Sequence, residues 1–103
     1  MMRKEKPPKA IPPYLDPPEH LDEDARAKWA RLTEVIEFPI SEYDSLAAYC
    51  CACSRWAKAE EELKKTGPVV KSPSGFPIQN PWLSISNHAA DEIRRWGKIL
   101  RIV

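Results

Sequence analysis

The sequence predicts a mainly α fold: three helices, a short β-hairpin between helices two and three, and an extended Pro-rich N-terminal arm. Apolar residues recur at three- and four-residue steps in three separate stretches. Between the second and third lies Gly67 to Ser86, GPVVKSPSGFPIQNPWLSIS, which holds two short extended runs, a Ser-Gly turn and a proline-marked helix start. Six of the eleven prolines fall in residues 1–21, at 7, 8, 12, 13, 17 and 18.

The arm, residues 1–21, has the composition of a polyproline-like leader with no core of its own. Ile11, Tyr14, Leu15 and Leu21 are its sizeable apolar anchors. Two readings stay open for it: a disordered leader, or an arm that docks on a neighbouring subunit or lies along DNA.

The helical domain then spans residues 22–103. Helix one is expected over 22–37, with Asp22 as N-cap, Glu23 and Asp24 complementing the helix dipole, and Leu21 positioned to staple the first turns. Ala25, Trp29, Leu32 and Ile36 make one apolar stripe, and Pro39 stops the helix. Helix two is expected over 41–66. Ser41 and Asp44 resemble a capping box, and Tyr43, Leu46, Cys50, Cys53 and Ala57 form the buried face with Trp56 at its edge. The run from Lys58 to Lys65 reads as a solvated helical end, and Gly67 as an αL cap. The short link after helix one makes these two helices antiparallel neighbours.

The hairpin is expected over 68–79. Val69-Val70-Lys71 and Phe76-Pro77-Ile78 flank a turn in which Pro73 fixes φ and Gly75 supplies φ > 0. Asn80 stands at the N-cap of helix three, 81–101, and Pro81 at its first position, where a missing N–H costs nothing. Trp82, Ile85, Ala89, Ile93, Trp96 and Leu100 step by three and four, close to a heptad seam, and Leu83, Ala90 and Ile99 widen the face.

Composition bounds the function. A length of 103 residues leaves room for one domain, and a net charge of +1 argues against a strongly basic nucleic-acid binder without excluding a local footprint. Positive charge is in excess at the extreme N-terminus (Arg3, Lys4, Lys6, Lys9) and on the last helix. No apolar run approaches the roughly 20 residues that span a bilayer, and no hydrophobic signal segment follows the basic start. The chain reads as soluble and intracellular. Cys50, Cys51 and Cys53 are too close together on a helix for the spaced bridges of a secreted scaffold, so a reducing compartment fits.

The candidates for chemistry are few. The CxxC pair Cys50 and Cys53 falls mid-helix with no second pair, and His20 and His88 are distant, so small core residues are the better reading than zinc or redox chemistry. Glu60-Glu61-Glu62 reads as a solvated face and His88 as a surface or interface histidine. No phosphate loop, GxSxG or HExxH occurs. Neither a metal nor a cofactor is expected. Arg94, Arg95, Lys98 and Arg101 on the final turns, and Arg26, Lys28 and Arg31 on helix one, suit phosphate contact. The cations on helix three also suit its C-terminal dipole.

The succession PPEHLDEDARAKWARL, then SEYDSLAAYCCACSRWAKAEEELKKTGPVVKSPSGFPIQNPWLSISNHAADEIRRW, resembles the small subunit of phage terminases, of the short, all-helical tailed-phage type. The carriers are the Pro-Pro leader before a helix with a central Trp29, the stretch Arg55 to Glu60, the Gly-Val-Val-like strand with its turn, and above all Gln79-Asn80-Pro81-Trp82-Leu83. The match covers roughly residues 17–96.

The resemblance implies a non-enzymatic component of a viral genome-packaging motor, located in the bacterial host cytoplasm and not in a membrane. Such proteins form homo-oligomeric rings, bind viral double-stranded DNA near the packaging start, and present it to a large subunit that carries the ATPase and nuclease. Family members commonly continue past helix three with a further segment, often Pro/Ser-rich, whereas this sequence ends at Val103; if that segment helps engage the large subunit, the resemblance leaves open a shortened form, a prophage remnant or a module with altered partner contact. A ring multiplies a weak DNA contact through effective concentration. DNA contact is assigned to Lys4, Lys6, Lys9, Arg26, Lys28 and Arg31. The oligomer interface is assigned to Trp82, Ile85, Ile93, Trp96 and Leu100. Two other classes stay open: a helical protein-interaction adaptor without DNA binding, and a small enzyme or redox protein using Cys50 and Cys53.

Overall fold

The computed structural model describes residues 10–12 and 15–102. Helices α1 (Glu23–Val35), α2 (Tyr43–Thr66) and α3 (Pro81–Leu100) carry most of them. Strands β1 (Val69–Lys71) and β2 (Pro77–Gln79) pair antiparallel between α2 and α3, with Val70 opposite Ile78. The mainly helical fold and the position of the hairpin match the sequence expectation.

α1 begins where Asp22 accepts the Ala25 amide at 2.8 Å, which satisfies one of the orphan donors of the first turn. Ala25, Trp29 and Thr33 are buried, with Leu32 and Ile36 packed beside them. The helix ends at Val35, two residues before the expected Glu37. Ile36 turns to extended backbone (φ −124°, ψ 135°), and this lets Phe38 drop into the core, only 1% exposed. The Phe38 carbonyl accepts the Ile11 amide at 2.7 Å.

That hydrogen bond settles what the leader's described residues do. Ala10 bridges Pro39, and Ile11 and Leu21 are buried in the same core as Trp29 and Leu46. Trp29 Nε1 donates to the Leu15 carbonyl at 3.3 Å, and Tyr43 Oη donates to the Asp16 carbonyl at 2.6 Å. Residues 10–12 and 15–21 thus lie across α1 and the start of α2 of their own chain. Tyr14 lies outside the described residues.

α2 corrects the sequence reading in three places. It starts at Tyr43, after a 3₁₀ turn over Ile40–Glu42, and no side chain caps it, so Ser41 and Asp44 form no capping box. The turn begins directly after Pro39, whose fixed φ sends the chain into it. Ala57 is exposed and Cys53 only half-buried, whereas Ala47, Tyr49, Ala52, Ser54 and Ala59 are buried. The reason is that α2 is the middle element, with α1 on one side and α3 on the other; two partners bury a wider arc than one stripe. Third, the stretch from Lys58 to Lys65 is solvated on one side only. Ala59 is fully buried against α3, and Ser86 Oγ donates to Glu60 Oε1 at 2.6 Å.

Gly67 ends α2 with φ 80° but ψ 170°, so it uses the positive φ that glycine tolerates without adopting the αL cap. Its amide still bonds the Leu63 carbonyl at 2.7 Å. In the hairpin turn Gly75 has φ 90°, as expected of it, and donates to the Ser72 carbonyl at 2.9 Å. β2 begins at Pro77, one residue later than expected. Asn80 is buried and caps α3 through its Oδ1, which accepts the Trp82 amide at 3.1 Å. Its Nδ2 donates to Thr66 Oγ1 and the Gly67 carbonyl at 2.7 and 2.8 Å, tying the two helix ends together.

α3 runs antiparallel to α2, as the pairs Glu60–Ser86, Arg55–Glu92 and Glu42–Arg101 require. Ser86, Ala89, Gly97 and Leu100 form its buried seam. Ile85 falls beside that seam and is 39% exposed. The helix closes at Leu100, one residue early, because Arg101 takes αL backbone (φ 62°, ψ 30°) while the Ile102 amide returns to the Gly97 carbonyl at 2.8 Å.

Candidate nucleic-acid interface

A phosphate-binding surface needs cations that no carboxylate has already engaged. Several basic groups are engaged. Arg26 donates through Nε to the Leu21 carbonyl at 3.1 Å and through Nη2 to the Glu19 carbonyl at 3.2 Å, so its guanidinium holds the leader down. Arg55 pairs with Glu92 at 3.0 Å, Arg94 pairs with Asp91, and Arg101 pairs with Glu42 at 3.0 Å.

Among the described residues, Lys28 and Arg31 of α1 and Arg95 and Lys98 of α3 have no carboxylate at ion-pair distance. Lys28 and Arg31 stand three residues apart on one side of α1 and flank the same surface depression as Leu32 and Val35. Lys28 also faces α3 across a long open groove of about 1480 Å³, which Arg95 and Lys98 line from the other side. The groove exists because α1 and α3 both pack on α2 and leave only the edge of its largely buried Tyr49 at the bottom between them. Lys4, Lys6 and Lys9 lie outside the described residues.

The sequence marks Lys28 and Arg31 and, separately, the cations of the last helix; that Lys28, Arg95 and Lys98 line one groove depends on where α1 and α3 settle on α2. The i, i+3 spacing of Arg95 and Lys98 was the available signal for a shared face.

The residues expected at an oligomer interface divide. Leu100 is 1% exposed and belongs to its own chain's core, while Ile93 and Trp96 are half-buried against that core. Trp82 is half-buried and Ile85 largely open. The most exposed apolar surface near them is on the hairpin, where Val69, Phe76 and Ile78 are 60%, 70% and 42% exposed.

The three cysteines are free thiols. Burial pushes the Cys50 thiol up to about 12 and raises Cys51 and Cys53 as well. A thiol held protonated is a poor nucleophile and a poor metal ligand. Among the described residues no group of His, Cys, Asp and Glu gathers as a metal site, and no helix is long and apolar enough to cross a membrane.

A family model described as phage terminase, small subunit, matches residues 25–101, which takes in α1 from its third residue, α2, the hairpin and α3. Comparison with curated proteins and with solved structures gives no match.

Proposed function

The chain belongs to the phage terminase small-subunit family, and from that premise we propose that it is the non-catalytic DNA-recognition component of a viral genome-packaging motor. In this reading it works in the bacterial host cytoplasm as a homo-oligomeric ring, binds viral double-stranded DNA, and presents it to the large subunit that carries the ATPase and nuclease. The observation that supports DNA contact is that Lys28 lines one groove with Arg95 and Lys98 and a second depression with Arg31, all four being cations without a carboxylate at ion-pair distance among the described residues. The N-terminal lysines Lys4, Lys6 and Lys9 belong to the same proposal, and Arg26 serves it indirectly by fixing the leader that carries them.

The domain division goes with this reading. Residues 22–103 supply the DNA-facing body; in the leader, 1–21, residues 10–12 and 15–21 strap it, and the sequence before them is the basic start. Self-association draws on Ile85 with Trp82 beside it; Ile93 and Trp96 act mainly through the core, and Leu100 is reserved to it.

The test is duplex binding by fluorescence anisotropy across a salt series, together with the native mass of the assembly. Each phosphate contact contributes about 0.9 to the slope of log K against log salt. Arg31→Glu and Arg95→Glu are each expected to lower that slope by about 1 with the helical circular dichroism unchanged. An unchanged slope removes those residues from the surface. A monomer at high concentration, with and without duplex, overturns the ring; Ile85→Glu is expected to reduce the assembled mass.

A further inference from the structure

The groove between α1 and α3 has a feature that phosphate binding does not use. Its bottom is apolar: the edge of the largely buried Tyr49 from α2, with the half-buried Ile93 and Ile102, lines it together with Lys28 of α1 and Arg95 and Lys98 of α3. Phosphates gain affinity from cations and counterion release, and an apolar floor adds nothing to them. An apolar floor between charged flanks is the chemistry of a seat for an amphipathic helix.

The groove's α3 flank runs from His88 to Ile102, about 21 Å at 1.5 Å per residue. The sign of the occupant's charge follows from the flanks. Asp91 and Glu92 are already paired with Arg94 and Arg55, so Lys28, Arg95 and Lys98 are left to face whatever enters.

We infer that this groove docks an acidic amphipathic helix of a protein partner. Its apolar stripe lies on Tyr49, Ile93 and Ile102, and its carboxylates meet Lys28, Arg95 and Lys98. The identity of the partner rests on the packaging reading, in which the large subunit is the protein that must be engaged; the chemistry of the groove does not. The occupant is recognised by an i, i+3/i+4 apolar repeat with Glu or Asp on both flanks.

The probe is a fluorescein-labelled helical peptide of about 14 residues, built of Leu at helical spacing with Glu and Ala elsewhere. A second peptide of equal charge carries Gln at every Leu position, and a labelled duplex serves as the third ligand. All are titrated onto the full chain by anisotropy at physiological salt. The amphipathic peptide is expected to bind with a Kd on the order of 10 µM, and the Gln peptide at least about tenfold more weakly. Lys98→Glu is expected to weaken the amphipathic peptide about tenfold with unchanged circular dichroism. Because the apolar arm is varied on the peptide, no core substitution that endangers folding is needed.

Equal binding of the two peptides, with the duplex tighter than both, overturns the inference and leaves the groove a phosphate surface. No binding of either peptide overturns it as well. Loss of duplex binding alone strikes the DNA reading and leaves this one standing, so the two failures are read in different ligands.

Discussion

Arg101 and Glu42, 59 residues apart in sequence, meet through one guanidinium nitrogen that lies 3.0 Å from both carboxylate oxygens. The pair clamps the end of α3 to the turn that starts α2, and it does so from a backbone position that L-residues avoid. Arg101 has φ 62°. With the Ile102 amide on the Gly97 carbonyl and the Arg101 amide on the Lys98 carbonyl, the chain closes α3 in the manner of a Schellman motif with arginine where glycine is usual. The αL backbone costs an arginine about 1 kcal/mol, and an ion pair whose arginine is largely exposed returns between 0 and about 1 kcal/mol.

Those two magnitudes predict an order among substitutions. Arg101→Ala keeps the strain and loses the pair, so it is expected to destabilise by up to about 1 kcal/mol. Arg101→Gly loses the pair and relieves the strain, so it should come out near wild type. Urea denaturation decides; glycine less stable than alanine would mean that αL strain is not what this position stores.

Asp22 predicts an acid limb in the stability. Its carboxylate accepts Ser54 Oγ at 2.7 and 2.9 Å and the Ala25 amide at 2.8 Å, and these bonds, the Ser54 one first, hold its pKa below 3.8. The unfolded chain therefore binds the proton more readily than the native one. The contribution is fully present above pH 3.8 and fades as the pH falls below it. Asp22→Asn keeps a capping oxygen and removes the charge, so it is expected to flatten stability against pH over this range. Asp22→Ala also removes the cap and costs about 1 kcal/mol at neutral pH. An acid limb unchanged in the Asn variant would assign it to other carboxylates.

Trp29 joins the leader to the helices. Its ring meets Tyr43 edge-on at a centroid distance of 5.0 Å and an interplanar angle of 76°, and its Nε1 holds the Leu15 carbonyl. Trp29→Ala is expected to cost about 3–5 kcal/mol. Trp29→Phe keeps an aromatic face for Tyr43 but leaves the Leu15 carbonyl without this donor. Limited proteolysis should then show faster cleavage near Leu15 while the helical signal holds. Equal cleavage rates would mean that Ile11 and Leu21 secure the leader unaided.

These residues also show how far the sequence could be read. The stripe of Ala25, Trp29, Leu32 and Ile36 and the caps at Asp22 and Asn80 are local, set by spacing and by hydrogen bonds within three residues, and they stand where the sequence puts them. The hairpin follows from Pro73 and Gly75 for the same reason. Local pattern does not say how many neighbours a helix has. α2 has two, so Ala59 is buried inside what reads as a solvated run, and Ala57 is open where a single stripe would bury it. The leader's placement rests on Trp29 and Tyr43 reaching back 14 and 27 residues to its carbonyls. The groove needs three helices at once, so Lys28 could be picked as a cation but not placed opposite Lys98.

The buried thiol and phenol predict how the fold fails in alkali. Burial pushes Cys50 from its ordinary 9.0 to about 12, with Cys53 and Cys51 adding smaller contributions, and pushes Tyr49 from 10.0 to about 12. In the unfolded chain both groups release their protons near their ordinary values, while the native state keeps them. The unfolded state is therefore favoured progressively as the pH climbs from about 9 toward 12, and the stabilisation present below that window is lost through it. Cys50→Ala removes one of the two groups, so its loss of stability between pH 9 and 11 is expected to be shallower than that of wild type even though it is less stable at pH 7. The same burial makes native Cys50 slow to alkylate at pH 8, with the half-buried Cys51 and Cys53 labelled first. Mass spectrometry of the labelled chain reads this directly. Prompt labelling of Cys50 under native conditions would mean that the α1–α2 core opens far more readily than its packing implies.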